Sequence, residues 1–288
     1  HLMKHSASFL KIVLFLVTMI PLNAYAAESA YDRVMKTGVL RCGYAAWDPG
    51  VMKDPVTGKM KGLFVELMEE MARMSRIKIE WASEVDWGQI PEALRSGKVD
   101  AFCNGMAADG GRAKNLAYTV PMTYWSFGVV VRADDVRFQT KRPITVADLN
   151  KKDYSTAYTE GDVLETIKQT ELPLVKGVPL PLLGTPADNL MYVKTKKTDF
   201  VVFPVVIMQS YEKTNGKKDF RFLKMKEPLR VYGNVVAVDI HDTALKTFLD
   251  AALLELIQSS SYGRILAPYE KDYPGAFMRV KSNYDIAN

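Results

Sequence analysis

Between Val39 and Asn104 the chain switches repeatedly between two hydrophobic periods, and this alternation limits the folds open to it more than any other feature. Val39-Leu40-Arg41-Cys42-Gly43 reads as a strand. Leu63, Phe64, Leu67, Met68, Met71 and Met74 then recur at helical spacing, with Glu66, Glu69, Glu70 and Arg73 between them. Ile77-Lys78-Ile79-Glu80-Trp81 alternates like a strand, and residues 90–95 form a short helix with Pro91 in its first turn. Val99 to Cys103 is too apolar to have a wet face, which suits a strand covered on both sides. Strand, helix, strand, helix, strand with short connections specifies an α/β, doubly wound parallel sheet. Ligands of such sheets sit beyond the carboxyl ends of the strands.

Two separated stretches lie at such ends. One is the aromatic loop at 44–49, which carries Trp47. The other follows the strand at 99–103, within Ser96 to Arg112, SGKVDAFCNGMAADGGR. There Gly105, Gly110 and Gly111 let backbone N–H groups approach a ligand. A helix beginning near Arg112 would add its positive end, and the guanidinium itself could fork onto a carboxylate. The combination suits a small anion. Each residue also has a plainer reading: Arg112 as an ion-pair partner of Asp109 or a solvated helix arginine, Trp47 as a roof over the core.

The second half repeats the pattern. FGVVVR at 127–132 is a strand, a short helix follows at 144–149, and 154–158 is a strand. Asp162 and Glu165 have capping-box spacing on a helix at 163–170, so Asp162 reads first as a cap. Pro173 stops that helix, and Thr185-Pro186 starts another. The helix, basic turn, Asp and buried strand of 97–102 recur at 197–204, an echo that suggests two similar lobes. A strand at 235–238, a strong amphipathic helix through Leu245 to Ile257 and a helix at 262–269 complete the pattern, with Pro274-Gly275 expected to end the ordered fold. No low-complexity linker divides the lobes, so the crossover is expected in strands near 124–128 and 231–235. Tyr124 and Trp125 would pack that hinge.

Residues 1–26 read as a secretory signal: Lys4 and Lys11, an apolar run from Ile12 to Ile20, then Ala24-Tyr25-Ala26 as a cleavage site. The run is too short to span a bilayer. Removing the two leader lysines reduces the formal charge from +5 to +3, a mixed surface without the basic, aromatic-interleaved cluster of a nucleic-acid binder. Cys42 and Cys103 would meet an oxidising compartment. Their apolar runs favour two small buried hydrophobes, with a disulfide between neighbouring strands as the alternative. Three histidines, two of them within the first five residues, leave no Ser/His/Asp or Cys/His constellation and no metal-ligand cluster.

Val39–Gly43 after a signal, Gly62-Leu63-Phe64-Val65-Glu66-Leu67, Leu94-Arg95-Ser96-Gly97-Lys98-Val99-Asp100-Ala101, and Arg112 followed by Tyr118-Thr119-Val120-Pro121 together resemble the periplasmic solute-binding proteins of ABC importers. Within these the likeness is to the polar amino-acid-binding family, family 3. The resemblance implies a type II periplasmic binding fold: two α/β lobes joined by two crossover strands and closing like a hinged clamp. It implies lobe 1 from 27–125 and 233–288, lobe 2 from 126–232, a periplasmic location, no cofactor, and a monomer that docks on a membrane permease. By position, Arg112 would hold a ligand carboxylate with backbone groups of Asn104, Gly105 and Ala107. Trp47 would pack over the ligand, and Gly161, Asp162 and Val163 would complete the contacts from lobe 2.

Three departures bear on the ligand. Asp109 stands where the family usually has a threonine, and Phe64 where many members have an aspartate, with Glu66 keeping only the second acid. Pro204, expected to supply shape and apolar surface, stands where an acid binds the α-ammonium. A buried ammonium without a paired carboxylate costs several kcal/mol, so an α-amino acid requires Asp162 or another acid in that role. The expected function is capture of a small carboxylate-bearing solute. The alternative is an enzyme on the same scaffold, of cyclohexadienyl dehydratase type, with Glu66, Asp109 or Asp162 as the cleft acid.

Overall fold

The computed structural model describes residues 28–180 and 186–281. The expected leader and Thr185 lie outside the described residues. Helix α1 (Ala30–Thr37) is capped by the Ser29 hydroxyl, which accepts from Asp32 N, and is closed by Gly38 in the left-handed region. The alternation follows: β1 (Val39–Tyr44), a ribbon of β2 (Met52–Lys53) and β3 (Met60–Lys61), α2 (Leu63–Met74), β4 (Lys78–Glu84), α3 (Ile90–Arg95) and β5 (Ala101–Ala107). Next come β6 (Leu116–Tyr118), the long β7 (Thr123–Arg132), α4 (Val146–Leu149), β8 (Ser155–Thr159), α5 (Val163–Glu171) and β9 (Lys176–Leu180). Then follow α6 (Pro186–Lys194), β10 (Phe200–Pro204), α7 (Val205–Asn215) and β11 (Phe220–Phe222). The long β12 (Arg230–Asp239), α8 (Thr243–Ile257), α9 (Ser260–Asp272) and β13 (Phe277–Arg279) end the described chain.

The main sheet runs β4-β1-β5-β12-β7-β10-β8-β9. β1 is parallel to β4 and β5, β8 is parallel to β9 and β10, and the two long strands are antiparallel to their neighbours. Two parallel α/β halves thus meet at β7 and β12. Residues 123–127 of β7 pair with 230–234 of β12, whereas 127–131 of β7 pair with β10 and Asn234–Ala237 of β12 with β5. At the exchange point the buried Thr123 Oγ1 donates to Asn234 Oδ1 at 2.8 Å, and Asn234 Nδ2 donates to Gly105 O at 2.8 Å. Each half has its own apolar core: Leu40, Leu67, Met71 and Leu253 belong to one cluster, Val129, Ile167, Phe200 and Val202 to another. Every residue of β5 is buried, as its composition requires.

The sequence echo is a repeated structural device. Asp100 N donates to Arg41 O at 2.8 Å, and the Asp100 carboxylate accepts from Arg41 N at 2.9 Å. Asp199 N donates to Ser155 O at 3.0 Å, and its carboxylate accepts from Ser155 N at 2.8 Å. In both halves one aspartate ties a strand to its parallel neighbour, and arginines balance the charge: Arg33 and Arg41 on Asp100, Arg137 on Asp199.

Four expectations change. Cys42 and Cys103, on the adjacent β1 and β5, form a disulfide with Cα atoms 5.5 Å apart, so the reading of two unpaired apolar cysteines is corrected. The helix expected at Arg112 is one 3₁₀ turn over Arg112–Lys114, because only a short β6 follows and no helical apolar period sustains it. Ordered structure continues past Pro274-Gly275 into β13, which pairs with β7. Strand β9 and helix α7 are additions. No helix among the described residues is long and apolar enough to cross a membrane.

Candidate functional site

A cavity of about 480 Å³ opens between the two halves beside the crossover. Seven of the expected site residues line it: Trp47, Gly105, Ala107, Arg112, Asp162, Val163 and Pro204. The other two do not. Asn104 is buried behind the wall, where its Oδ1 accepts from Ala45 N at 3.0 Å and its backbone O accepts from Trp47 Nε1 at 3.3 Å. Its side-chain oxygen holds the start of the Trp47 loop. Gly161 lines a smaller cavity of about 140 Å³, which shares Trp87, Arg112 and Asp162 with the larger one.

Local geometry explains these placements. The Trp47 ring lies over Gly50, where a Cβ would come within 2.1 Å of it, so no side chain fits there. Gly105 sits at φ +63°, and a Cβ would meet the Phe64 ring at 2.4 Å. The aromatic at position 64 therefore packs against the strand end and supplies no acid. From it runs a continuous contact chain: Phe64–Trp47 at 5.7 Å, Trp47–Trp125 at 5.6 Å and Trp125–Phe127 at 5.4 Å between ring centroids. Trp125 and Phe127 belong to β7, so the chain links the loop after β1 to the crossover strand.

Arg112 stands between two carboxylates. Its Nε is 3.0 Å from Asp109 Oδ2, its backbone N donates to Asp109 Oδ1 at 3.0 Å, and its Nη2 is 3.6 Å from Asp162 Oδ2. Asp162 also caps α5, as its spacing predicts, by accepting from Leu164 N at 3.1 Å. Glu165 completes the cap from one residue further out than expected, accepting from Gly161 N at 2.9 Å. Burial pushes the Asp162 carboxyl above the ordinary aspartate range, against the downward pull of Arg112. Burial also raises the nearby Tyr118 phenol, with the Asp109 carboxylate adding to the effect. The Arg112–Asp162 contact joins the halves that carry β5 and α5.

Much of the opposite wall escaped the sequence reading. It comes from α7, which supplies Ile207, Ser210, Tyr211, Thr214 and Asn215, and from Thr159 and Asn189. The available signal was Pro204, whose fixed φ suits a helix start. The apolar run continues through 200–208 without a helical period, so the strand read at 197–204 gives no sign that a helix follows it. Ser210 and its neighbours also meet the rim of the other half. The Ser210 hydroxyl donates to the Asp48 carboxylate, Gln209 Nε2 donates to Pro274 O at 2.9 Å, and Lys213 Nζ lies 3.6 Å from the Tyr273 ring centroid. Positions 209, 210 and 213 share one face of the helix.

Glu66, a candidate acid for an enzyme reading, does not line the cavity; its Oε1 accepts from the Tyr269 hydroxyl at 2.6 Å. Asp109 is tied to Arg112. Among the described residues no group of three or more His, Cys, Asp or Glu is placed to hold a metal ion.

The model of the bacterial extracellular solute-binding proteins, family 3, matches residues 40–272. A "Probable histidine-binding protein" of Campylobacter jejuni is 22% identical over 239 residues, covering 78% of this chain and 91% of the relative. A "Probable histidine-binding protein" of Neisseria gonorrhoeae is 25% identical over 222 residues, covering 74% and 75%. Among solved structures, an ancestral amino acid-binding protein described as a precursor of cyclohexadienyl dehydratase superposes with a TM-score of 0.66 at 22% identity, covering 85% of this chain and 99% of that one. At that identity the likeness concerns the fold, a type II periplasmic binding fold.

Proposed function

This chain belongs to family 3 of the bacterial extracellular solute-binding proteins, and on that premise we propose that it captures a small carboxylate-bearing solute, an amino acid or related organic acid, by closing two lobes over it. The solute is then delivered to the membrane permease of an ABC importer by the protein acting as a periplasmic monomer, exported on the leader at 1–26. Lobe 1 comprises 27–125 and 233–288, and lobe 2 comprises 126–232. The observation that carries this reading is Arg112: a partly buried guanidinium at the strand end of one half, lining a cavity whose other wall belongs to the second half. The relatives named as histidine-binding support an amino-acid-like ligand.

In this reading Arg112 takes the solute carboxylate, helped by backbone groups at Gly105 and Ala107, while Trp47, Val163 and Pro204 bound the solute body. Asn104 acts indirectly, by fixing Trp47, and Gly161 shapes the turn that presents Asp162. Ligand shifts the open–closed population by the contacts it gains only in the closed form. The protein carries out no chemistry on the solute. Of the three candidate acids, Glu66 is held by Tyr269 and Asp109 by Arg112, and Asp162, which does line the cavity, faces Arg112 and caps α5; these engagements disfavour the dehydratase alternative.

A thermal-shift screen of amino acids, dicarboxylates, polyamines and aromatic acids tests this. A ligand present at 100 times its Kd stabilises the native state by about 2.7 kcal/mol when it binds that state alone. The expected result is a hit that Arg112→Ala abolishes, with no product after prolonged incubation. Product formed from prephenate or arogenate overturns the binding reading in favour of an enzyme.

A further inference from the structure

Building on capture at Arg112, we propose that the solute is an α-amino acid with an aromatic side chain, and that Asp162 receives its ammonium group. The charged groups and the apolar walls of the cavity argue for the two halves of this ligand separately.

Consider the charges first. Arg112 Nη2 and Asp162 Oδ2 stand 3.6 Å apart, wider than the roughly 2.7–2.9 Å of a charge-assisted hydrogen bond. A zwitterion can exchange into this pair, its carboxylate on Arg112 and its ammonium on Asp162, leaving the net charge of the site unchanged. A simple carboxylate would instead strip Asp162 of its cation, in a place where burial already disfavours the charged form. Asn189 adds an acceptor at the same cavity. Its Nδ2 is used on Thr159 Oγ1 at 3.3 Å, while its buried Oδ1 has no hydrogen-bond partner. An unused acceptor calls for an N–H donor, which an ammonium supplies and a carboxylate does not. Pro204 brings no acid to the cavity, and of the two lining carboxylates, Asp48 and Asp162, it is Asp162 that stands beside Arg112.

Much of the remaining wall is apolar and aromatic, through Trp47, Trp125, Phe127, Phe203, Pro204 and Ile207, with the polar Ser210, Thr214 and Asn215 confined to the α7 side. A cavity of about 480 Å³ falls within the roughly 300–1,000 Å³ range of ligand pockets whose walls are mostly apolar. A short polar side chain would leave these aromatic surfaces facing water, whereas an aromatic ring covers them. An aliphatic cation could turn only to Asp48, which lies on the exposed rim and already accepts from Ser210 and Tyr273.

Tryptophan fluorescence reads the test directly, because Trp47, Trp87 and Trp125 line the cavity and only Trp81 of the four tryptophans does not. Purified protein is titrated with phenylalanine, tyrosine, tryptophan, alanine, histidine, lysine, arginine and 3-phenylpropionate. The expected result is that the aromatic amino acids bind at least tenfold tighter than the others. Asp162→Asn, which keeps a capping side chain for α5, should then weaken phenylalanine at least tenfold and bind 3-phenylpropionate no more weakly than the wild type does. If histidine, lysine, arginine or alanine binds tightest, the aromatic assignment is overturned while capture at Arg112 stands. Equal affinity for phenylalanine and 3-phenylpropionate overturns the role of Asp162. If no aromatic amino acid binds although an organic acid does so through Arg112, the inference fails and the family function survives.

Discussion

Asp100 has no side-chain exposure and is held by Arg41 at 2.8 Å and by Arg33, so its removal leaves two partly buried guanidinium groups without their carboxylate. Breaking a buried pair from one side costs roughly 3–5 kcal/mol. Asp100→Ala should therefore lower the urea midpoint by that equivalent with an unchanged slope. Gly105→Ala should also destabilise, by about 1–3 kcal/mol, since it combines a positive φ with a Cβ at 2.4 Å from the Phe64 ring. Asp135 offers a pH test. Arg137, hydrogen-bonded to it, holds its carboxyl below the ordinary aspartate range although burial opposes this, and Arg132 contributes. A depressed folded-state pKa stabilises above the unfolded value and loses that effect as pH falls through the folded one. Wild type should thus exceed Asp135→Asn in stability near neutral pH, and the gap should close as pH drops below about 4. A constant gap across that range would contradict the assignment. Residues of this kind were half legible in the sequence. Asp100 stood out only through its echo at Asp199, because the arginines that hold it come from distant α1 and β1.

At the scale of elements, the bond between β1 and β5 staples two neighbouring strands from which site loops depart. With a sequence separation of 61 between the cysteines, a chain-entropy argument assigns the link roughly 4 kcal/mol. Reduction, or Cys42→Ala with Cys103→Ala, should lower the melting temperature by several degrees and loosen the loop bearing Trp47. The same melting temperature with and without reductant would show that the link carries no stability. Long periodic segments were readable in advance: α2 and α8 matched because their apolar stripes continue for three turns or more. Helix α7 was not, because the apolar run through β10 and Val205 to Met208 hides the change of period. Nor was the disulfide, which depends on register between strands that spacing does not encode. The apparent helix at Arg112 failed for the opposite reason, since glycines and a cation supply a start signal but nothing downstream propagates it.

For the molecule as a whole, the sheet among the described residues is continuous between the halves only through β7 and β12, so the closure proposed above would be absorbed near Thr123 and Asn234. At the edge of the cavity, α7 meets the rim of the other half through Gln209, Ser210 and Lys213. If closure and capture are coupled, Ser210→Ala with Gln209→Ala should weaken ligand binding by up to tenfold, at about 0.5–1.5 kcal/mol per hydrogen bond, while the melting temperature of the free protein hardly moves. An unchanged affinity would uncouple the rim from capture. The whole account rests on a solute held between the halves at Arg112, and isothermal titration calorimetry of the strongest screening hit measures that directly. One ligand per chain should bind to the wild type, with an affinity reduced at least a hundredfold in Arg112→Ala despite a comparable melting temperature. Equal affinities for the two proteins would contradict it.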